Sequence, residues 1–239
     1  MQTLRKPLSS LLAAGLIGSA ALAASPAMAF NPSTSATFGA SNIYLWRGVD
    51  LGTGDAHVYG SLDFDSGVGA YAGVWAASGD SGAGQEYDLY AGYATDITDD
   101  ISVDAAIINY IYPKQARVVR DDQGNITDTV DQDGFGDFSE AYLGISAYGL
   151  GIDYYKDVTG SDYEYVAASY GYDAFGVTVG HHIDEAGAPF GEDMTHLDLS
   201  FQFNDELSFV ASTVVDSDTS DDTRRTTLLQ AVYELSFTL

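Results

Sequence analysis

The feature that most constrains this chain is a succession of alternating segments whose connections themselves alternate in length. In THLDLSFQF (195–203), Leu197, Leu199, Phe201 and Phe203 oppose His196, Asp198, Ser200 and Gln202. Side chains of a strand point to opposite faces with a period of two, so such a stretch has one apolar and one polar face. In EYDLYAGY (86–93), Tyr87, Leu89, Ala91 and Tyr93 oppose Glu86, Asp88, Tyr90 and Gly92. In HVYGSLDF (57–64), Val58, Leu62 and Phe64 oppose His57, Tyr59, Ser61 and Asp63. About twelve such segments are expected, over 36–46, 56–64, 68–77, 85–95, 101–112, 138–146, 150–156, 162–172, 175–183, 194–203, 207–215 and 226–239. The faces of 101–112 and 162–172 cannot be told apart by this pattern.

The connections carry more information than the segments. DSG (65–67), DITDD (96–100), AYG (147–149), DA (173–174) and NDE (204–206) are tight turns. Between them fall RGVDLGTGD (47–55), SGDSGAG (78–84), the stretch 113–137, DVTGS (157–161), DEAGAPFGED (184–193) and DSDTSDDTRR (216–225). A meander with every long loop at one end and every tight turn at the other produces this order, and outer-membrane barrels have that asymmetry. The expected fold is therefore all-β, an up-and-down antiparallel transmembrane β-barrel of about 12 strands. A soluble sandwich would share the alternation. It would not explain the loop asymmetry, nor 17 Tyr and 11 Phe gathered near segment ends as interfacial girdles.

The final stretch, AVYELSFTL, alternates to its last residue, with Tyr233, Leu235, Phe237 and Leu239 on one face. It is expected to lie against lipid and to pair with the first strand, because closure removes edges that lipid cannot hydrogen-bond. Phe237 and Leu239 are the residues the outer-membrane insertion machinery would read, by analogy with other outer-membrane proteins.

At the other end, Arg5 and Lys6 precede an apolar stretch, Leu11 to Ala24, and then Ala27-Met28-Ala29. A charged start, a short apolar middle and a small-x-small end form a cleaved secretory signal, 1–29. That leaves 30–239 as one barrel domain, with no later apolar run near the roughly 20 residues of a membrane helix. Loss of Arg5 and Lys6 leaves 7 basic against 35 acidic residues, a formal charge of −28. Such a balance excludes nucleic acid and anionic membrane surfaces as partners. Cysteine is absent, so packing and pairing must supply the stability.

About twelve strands at about 4.8 Å spacing and about 40° tilt give a backbone diameter of roughly 24 Å, which inward side chains reduce to an opening of roughly 10–12 Å. Ions and small polar solutes fit that opening. The inward sets supply Asp63, Glu86, Asp88, Asp198 and Glu234, with Asp104 and Asp153 on the same reading and Arg47 and Lys156 as possible counter-charges. The Debye length is about 8 Å at physiological salt, so lumen carboxylates are felt across the opening and favour cations. The expected function is passive diffusion of ions or small polar solutes, with a cation preference. The alternative is a plugged barrel acting as a surface receptor or adhesin through its acidic loops.

No cofactor is expected, and two metal readings stand as candidates. TVDQDGFGDFSE (129–140) offers Asp131, Asp133, Gly134, Asp137 and Glu140 at calcium-loop spacing, with Thr129 where the first carboxylate belongs. A hairpin centred near Pro189 would set His182 directly opposite His196, within reach of one transition metal. Catalytic signatures are lacking: there is no Gly-x-Ser-x-Gly elbow, no His-Glu-x-x-His and no phosphate loop. His181, on the lipid-facing side, is the one candidate for lipid hydrolysis.

SNIYLWRGVDLGTGDAHVYGSLDF, GAYAGVWAASGD, EYDLYAGYATDI, INYIYP and DFSEAYLGISAYGLGIDYYKD resemble the TorF-family porins. The resemblance covers most of 30–239 and is strongest over 41–112 and 137–157. Leu45-Trp46-Arg47-Gly48 and Glu86-Tyr87-Asp88-Leu89-Tyr90 carry it most specifically. It implies an outer-membrane barrel and a porin function. The acidic 113–137 stretch and the final Leu239, where an aromatic is usual, depart from the pattern.

Overall fold

The structure, a computed structural model, describes residues 30–80, 84–113, 117–120, 123, 126–130, 135–136, 138–183, 193–218 and 226–239. Its strands are β1 (Ser33–Ser41), β2 (Leu45–Trp46), β3 (Val49–Asp50), β4 (His57–Asp65), β5 (Ala70–Asp80), β6 (Gly84–Thr98), β7 (Ile101–Ile111), β8 (Arg117–Arg120) and β9 (Ile126–Val130). They continue with β10 (Phe138–Ala147), β11 (Leu150–Asp157), β12 (Glu164–Tyr172), β13 (Phe175–Ile183), β14 (Met194–Gln202), β15 (Leu207–Ser217) and β16 (Leu228–Thr238). Twelve of them form a closed antiparallel barrel in the order β1-β16-β15-β14-β13-β12-β11-β10-β7-β6-β5-β4. The pairs β2-β3 and β8-β9 are separate two-stranded hairpins.

Alternation explains the wall. Phe38, Leu62, Leu89, Leu143, Ile152, Leu199 and Leu229 are exposed on its outside, and an apolar exterior on a sheet without edges is the surface of a membrane-spanning barrel. The last strand closes on the first as the pattern predicts, with Phe237 opposite Ala36 and Glu234 opposite Gly39. The two ambiguous strands resolve: Ile108 and Tyr110 of β7, and Tyr165 and Ala167 of β12, face inward and are buried.

Two expectations are corrected. The first strand does not run through 46; it leaves the wall at Ser41. There the Ser41 hydroxyl donates to the Ile43 carbonyl at 2.6 Å. The Asn42 side chain donates to the Leu229 carbonyl at 2.9 Å and accepts from the Ala231 amide at 2.7 Å, anchoring the bend on β16. The chain then turns into the lumen as β2-β3, so part of the supposed outer loop 47–55 lies inside. The second correction concerns tyrosine. Five buried and five half-buried tyrosines belong to the interior cluster around Trp46 and Trp75. Only part of the tyrosine complement, including Tyr87, Tyr93, Tyr170 and Tyr172, is exposed on the outside as a girdle would be. Phenol has both an apolar ring and a polar tip, and a lumen lined by acids can use both.

The signal segment 1–29 lies outside the described residues. So do Asp131, Asp133, Gly134 and Asp137 of the calcium-loop reading.

Candidate functional site

The β2-β3 hairpin is a bar across the lumen. Its two-residue turn is Arg47-Gly48, with φ of 45° and 83°, between the paired Trp46 and Val49. Both turn residues lie in the left-handed region that a tight hairpin of this twist requires, costly for Arg47 and free for Gly48. A Cβ on Gly48 would also lie 2.5 Å from Cγ of His196. The hairpin leaves the wall between β1 and β4, and its tip reaches side chains of β10 to β14. In the strand order, β11 is six places from β1 in either direction, so the bar spans the full width.

Arg47 holds the tip. Its Nη1 and Nη2 each donate at 2.8 Å to Glu140 of β10, one to each carboxylate oxygen. The guanidinium carbon lies 4.1 Å from the Tyr155 ring centre and 4.6 Å from those of Trp46 and Tyr165. A bidentate pair stacked among aromatic faces uses the planar, always-charged side chain that only arginine provides. Nη1 also donates to the Tyr163 hydroxyl at 3.1 Å. Tyr163 in turn meets His182 Nδ1 at 3.0 Å, and His182 Nε2 meets the Arg47 carbonyl at 2.7 Å. A carbonyl only accepts, so Nε2 carries a proton, and in the neutral imidazole Nδ1 then accepts from Tyr163. The three bonds form a closed ring that secures the strained Arg47 backbone.

The layer around the bar is filled. Inward residues in the long-loop halves of the wall strands, among them Ser41, His57, Trp75, Ile108, His182 and Ser212, are buried. The opening of roughly 10–12 Å expected from strand number is therefore not present at this level; the hairpin and the aromatic cluster occupy it.

Towards the tight turns the lining changes to small and polar residues. Ser102 and Ser146 meet at 2.5 Å, and Thr37 and Ser236 at 3.2 Å. Carboxylates stand among them in a repeated arrangement. Tyr59 of β4 lies over Gly39 of β1 and donates at 2.7 Å to Glu234 of β16. The register sets these three residues in one row across three strands. Tyr90, Gly73 and Asp63 form a second row, in which the Tyr90 hydroxyl donates to Asp63 across the glycine. Tyr71 donates to Asp104 and Tyr142 to Asp153, both at 2.8 Å. A Cβ on Gly39 would lie 2.1 Å from the Tyr59 ring and one on Gly73 2.4 Å from that of Tyr90. Glycine is needed there so that the ring can lie flat.

The residues singled out in the sequence thus fall into two groups. Asp63, Asp104, Asp153, Asp198 and Glu234 face the lumen, on strands two or three places apart around the whole circumference. Glu86 and Asp88 are buried in the barred layer. Arg47 is also buried but pairs with Glu140, and Lys156 pairs with Glu164 on the exposed side. Neither counter-charge donates a hydrogen bond to the lumen group: Arg47 gives its own to Glu140 and Tyr163, and Lys156 to Glu164. Glu140, Tyr163 and Tyr165 were not anticipated as partners of Arg47. The available signal was Glu140 at an inward position of β10.

The histidine register is also corrected. His196 stands opposite Gly180 and His182 opposite Met194, so the two are diagonal neighbours, with ring centres 6.0 Å apart. The pairing of β13 with β14 is centred on 188, two residues out of register with a hairpin centred at Pro189. Every ring nitrogen of the pair is engaged: His196 Nδ1 meets Asp198 at 2.9 Å and Nε2 meets Tyr165 at 2.9 Å. A metal would have to displace those partners. Glu140 is likewise taken by Arg47 and by Tyr110 at 2.6 Å, not turned into the 129–140 stretch as a calcium ligand. His181 Nδ1 meets Thr195 Oγ1 at 2.9 Å, and Asp216 stands opposite Thr195 on the far strand. The acid therefore adjoins the hydroxyl rather than the imidazole, which is the wrong order for a nucleophile–base–acid relay.

Fold and interior together define a transmembrane β-barrel with an aromatic bar above an acidic vestibule. The chain belongs to the family described as bacterial protein of unknown function (Gcw_chp), whose model matches residues 23–234. No curated protein matches it. Among solved structures it is similar to the KdgM porin at 6% identity and TM-score 0.47, over 87% of this chain and 99% of that one. An outer membrane channel from Pseudomonas putida F1 matches at 8% identity and TM-score 0.40, over 89% and 97%. Outer membrane phospholipase A from Escherichia coli matches at 11% identity and TM-score 0.40, over 91% and 95%.

Proposed function

We propose that this protein is an outer-membrane channel for passive diffusion of ions and small polar solutes, cation-preferring and throttled by the β2-β3 bar. Residues 1–29 serve as its cleaved export signal, and outer-membrane lipid and the insertion machinery are its partners in the cell. The resemblance to TorF-family porins supports this reading. The observation that carries it is the charge of the vestibule. Five carboxylates surround the lumen, while Arg47, the one cationic side chain inside it among the described residues, is committed to Glu140. Cations are concentrated at such a wall and anions repelled across a Debye length of about 8 Å.

Reversal potentials of purified protein in a planar bilayer, under a salt gradient, test the proposal. Small stepwise openings with a cation-selective potential are expected, and anion selectivity would refute the charge argument. The filled layer around Arg47 favours one second reading, a plugged barrel acting as a surface receptor or adhesin through its acidic loops. A correctly folded barrel that stays silent with the bar intact and with the bar removed would favour that reading.

A further inference from the structure

Three of the chain's four histidines pack on the bar. The ring of His57, on β4, stacks on that of Tyr44 with centres 4.0 Å apart. His182 Nε2 donates to the Arg47 carbonyl, and its ring centre stands 6.0 Å from that of Trp46. His196 lies under Gly48, where an added Cβ would meet Cγ of its ring at 2.5 Å. All three are buried. The bar they surround is built to move as a unit. Its strands β2 and β3 form a sheet of their own, and the Leu51 amide donates to the Tyr44 carbonyl at 2.8 Å. Side chains tie it to the wall: Arg47 to Glu140 at the tip, and the Tyr44 hydroxyl to Glu86 at 2.5 Å nearer the base.

We infer that the bar is an acid-released gate, which swings out of the lumen on its two ends when His57 and His182 take up protons. Histidine ordinarily titrates near pH 6.5, about the only side chain to do so in this range. The titratable and charged groups around His182 are Arg47 on the bar, Tyr163 and Tyr165, His181 on its own strand and His196 on β14. With the bar seated, a proton on Nδ1 sets a second positive charge beside Arg47. His57 lies between the stacked rings of Tyr44 and Tyr59, with Glu86 beyond the Tyr44 hydroxyl, so a proton there is held in a packed aromatic layer. Both are disfavoured out of water. With the bar released, both rings meet lumen water and titrate normally. His196 keeps Asp198 in either state and does not decide the balance. Glu86 and Asp88, hydrogen-bonded to each other, act in the opposite sense, because the proton they share in the packed layer is given up once water reaches them. Two protons taken up against one released leave a net gain below about pH 6.5, so the released-to-seated ratio rises up to about tenfold per pH unit.

The test is protection of a buried thiol. Ser212 is fully buried on β15 next to Val210, against which Ile43 and Leu45 of the inner segment pack, and the chain has no cysteine of its own. Ser212→Cys in the whole protein, in detergent, is labelled with a methanethiosulfonate at about pH 6 and about pH 5. Each rate is divided by that of the same cysteine in a barrel whose residues 43–55 are replaced by a Gly-Ser link, which cancels the thiol's own titration. The ratio should rise about tenfold on acidification. His57→Phe keeps the stacked ring and His182→Gln keeps an N–H for the Arg47 carbonyl; in either background the rise should vanish, and in both together it should become a fall. A ratio that stays level or falls without those changes overturns the inference, as does a rise that persists in the double variant. Should a histidine variant not fold, the ratio in the otherwise unchanged protein decides alone. Conductance enters none of these readouts, so this inference and the channel reading fail independently.

Discussion

The two halves of the lumen use tyrosine in opposite ways. In the barred layer Tyr163 and Tyr165 pack around Arg47 and His182, their rings filling space and their hydroxyls completing a buried network. In the vestibule Tyr59 and Tyr90 lie flat over glycine and hold carboxylates at the wall. The first arrangement closes a cross-section; the second keeps one clear and charged. One side-chain type serves both because the partner of the hydroxyl differs, arginine and histidine in one case and a carboxylate in the other.

Removing the charge that ties the bar to the wall should produce the largest effect. Arg47→Met leaves Glu140 buried without its ion-pair partner, which costs about 3–5 kcal/mol. Denaturant unfolding of the detergent-refolded barrel measures it. Arg47→Met combined with Glu140→Gln should recover most of the loss, since the uncompensated charge is gone. A single variant as stable as the parent would mean that the bar is not held by this pair.

A smaller loss is expected in the vestibule. Gly39→Ala pushes the Tyr59 ring away and breaks its bond to Glu234, a charge-assisted bond whose removal costs about 1.5–3 kcal/mol. Tyr59→Phe should cost a similar amount by deleting the same bond. The double variant should cost much less than the sum, because both changes remove one interaction. Additive losses would show that glycine and tyrosine act separately.

The smallest effect is on selectivity. Asp63→Asn with Asp104→Asn should move the reversal potential towards zero without abolishing cation preference, since Asp153, Asp198 and Glu234 remain within about a Debye length of the path. Asp173→Asn, in the exposed β12–β13 turn, should leave the potential unchanged. Equal shifts in both variants would mean that selectivity comes from overall charge.

The wall was legible because lipid imposes a strict alternation on its outside, as at Leu197, Leu199 and Phe201, and the same parity turns Asp198 and Glu234 inward. Loop lengths gave the meander. The bar was not legible, because Ile43-Tyr44-Leu45-Trp46 is a β-prone apolar and aromatic run that reads as an extension of β1. Only the long-range contact of Arg47 with Glu140, 93 positions later, shows where it goes. The tyrosine rows were half visible: Gly39 and Gly73 stand at inward positions, but their rings come from neighbouring strands. The histidine register differs because the β13–β14 pairing is centred on 188 rather than on Pro189, and one position of centring shifts every pair by two residues.

The central claim is that the β2-β3 bar restricts an otherwise open, acidic barrel. Single-channel recording of the parent beside a variant in which 43–55 is replaced by a short Gly-Ser link from Asn42 to Ala56 tests it most directly. The account predicts a unitary conductance about tenfold higher in the variant, approaching that of an unobstructed barrel of this strand number, with cation preference retained from the vestibule. A correctly folded variant with the parent's conductance would contradict it.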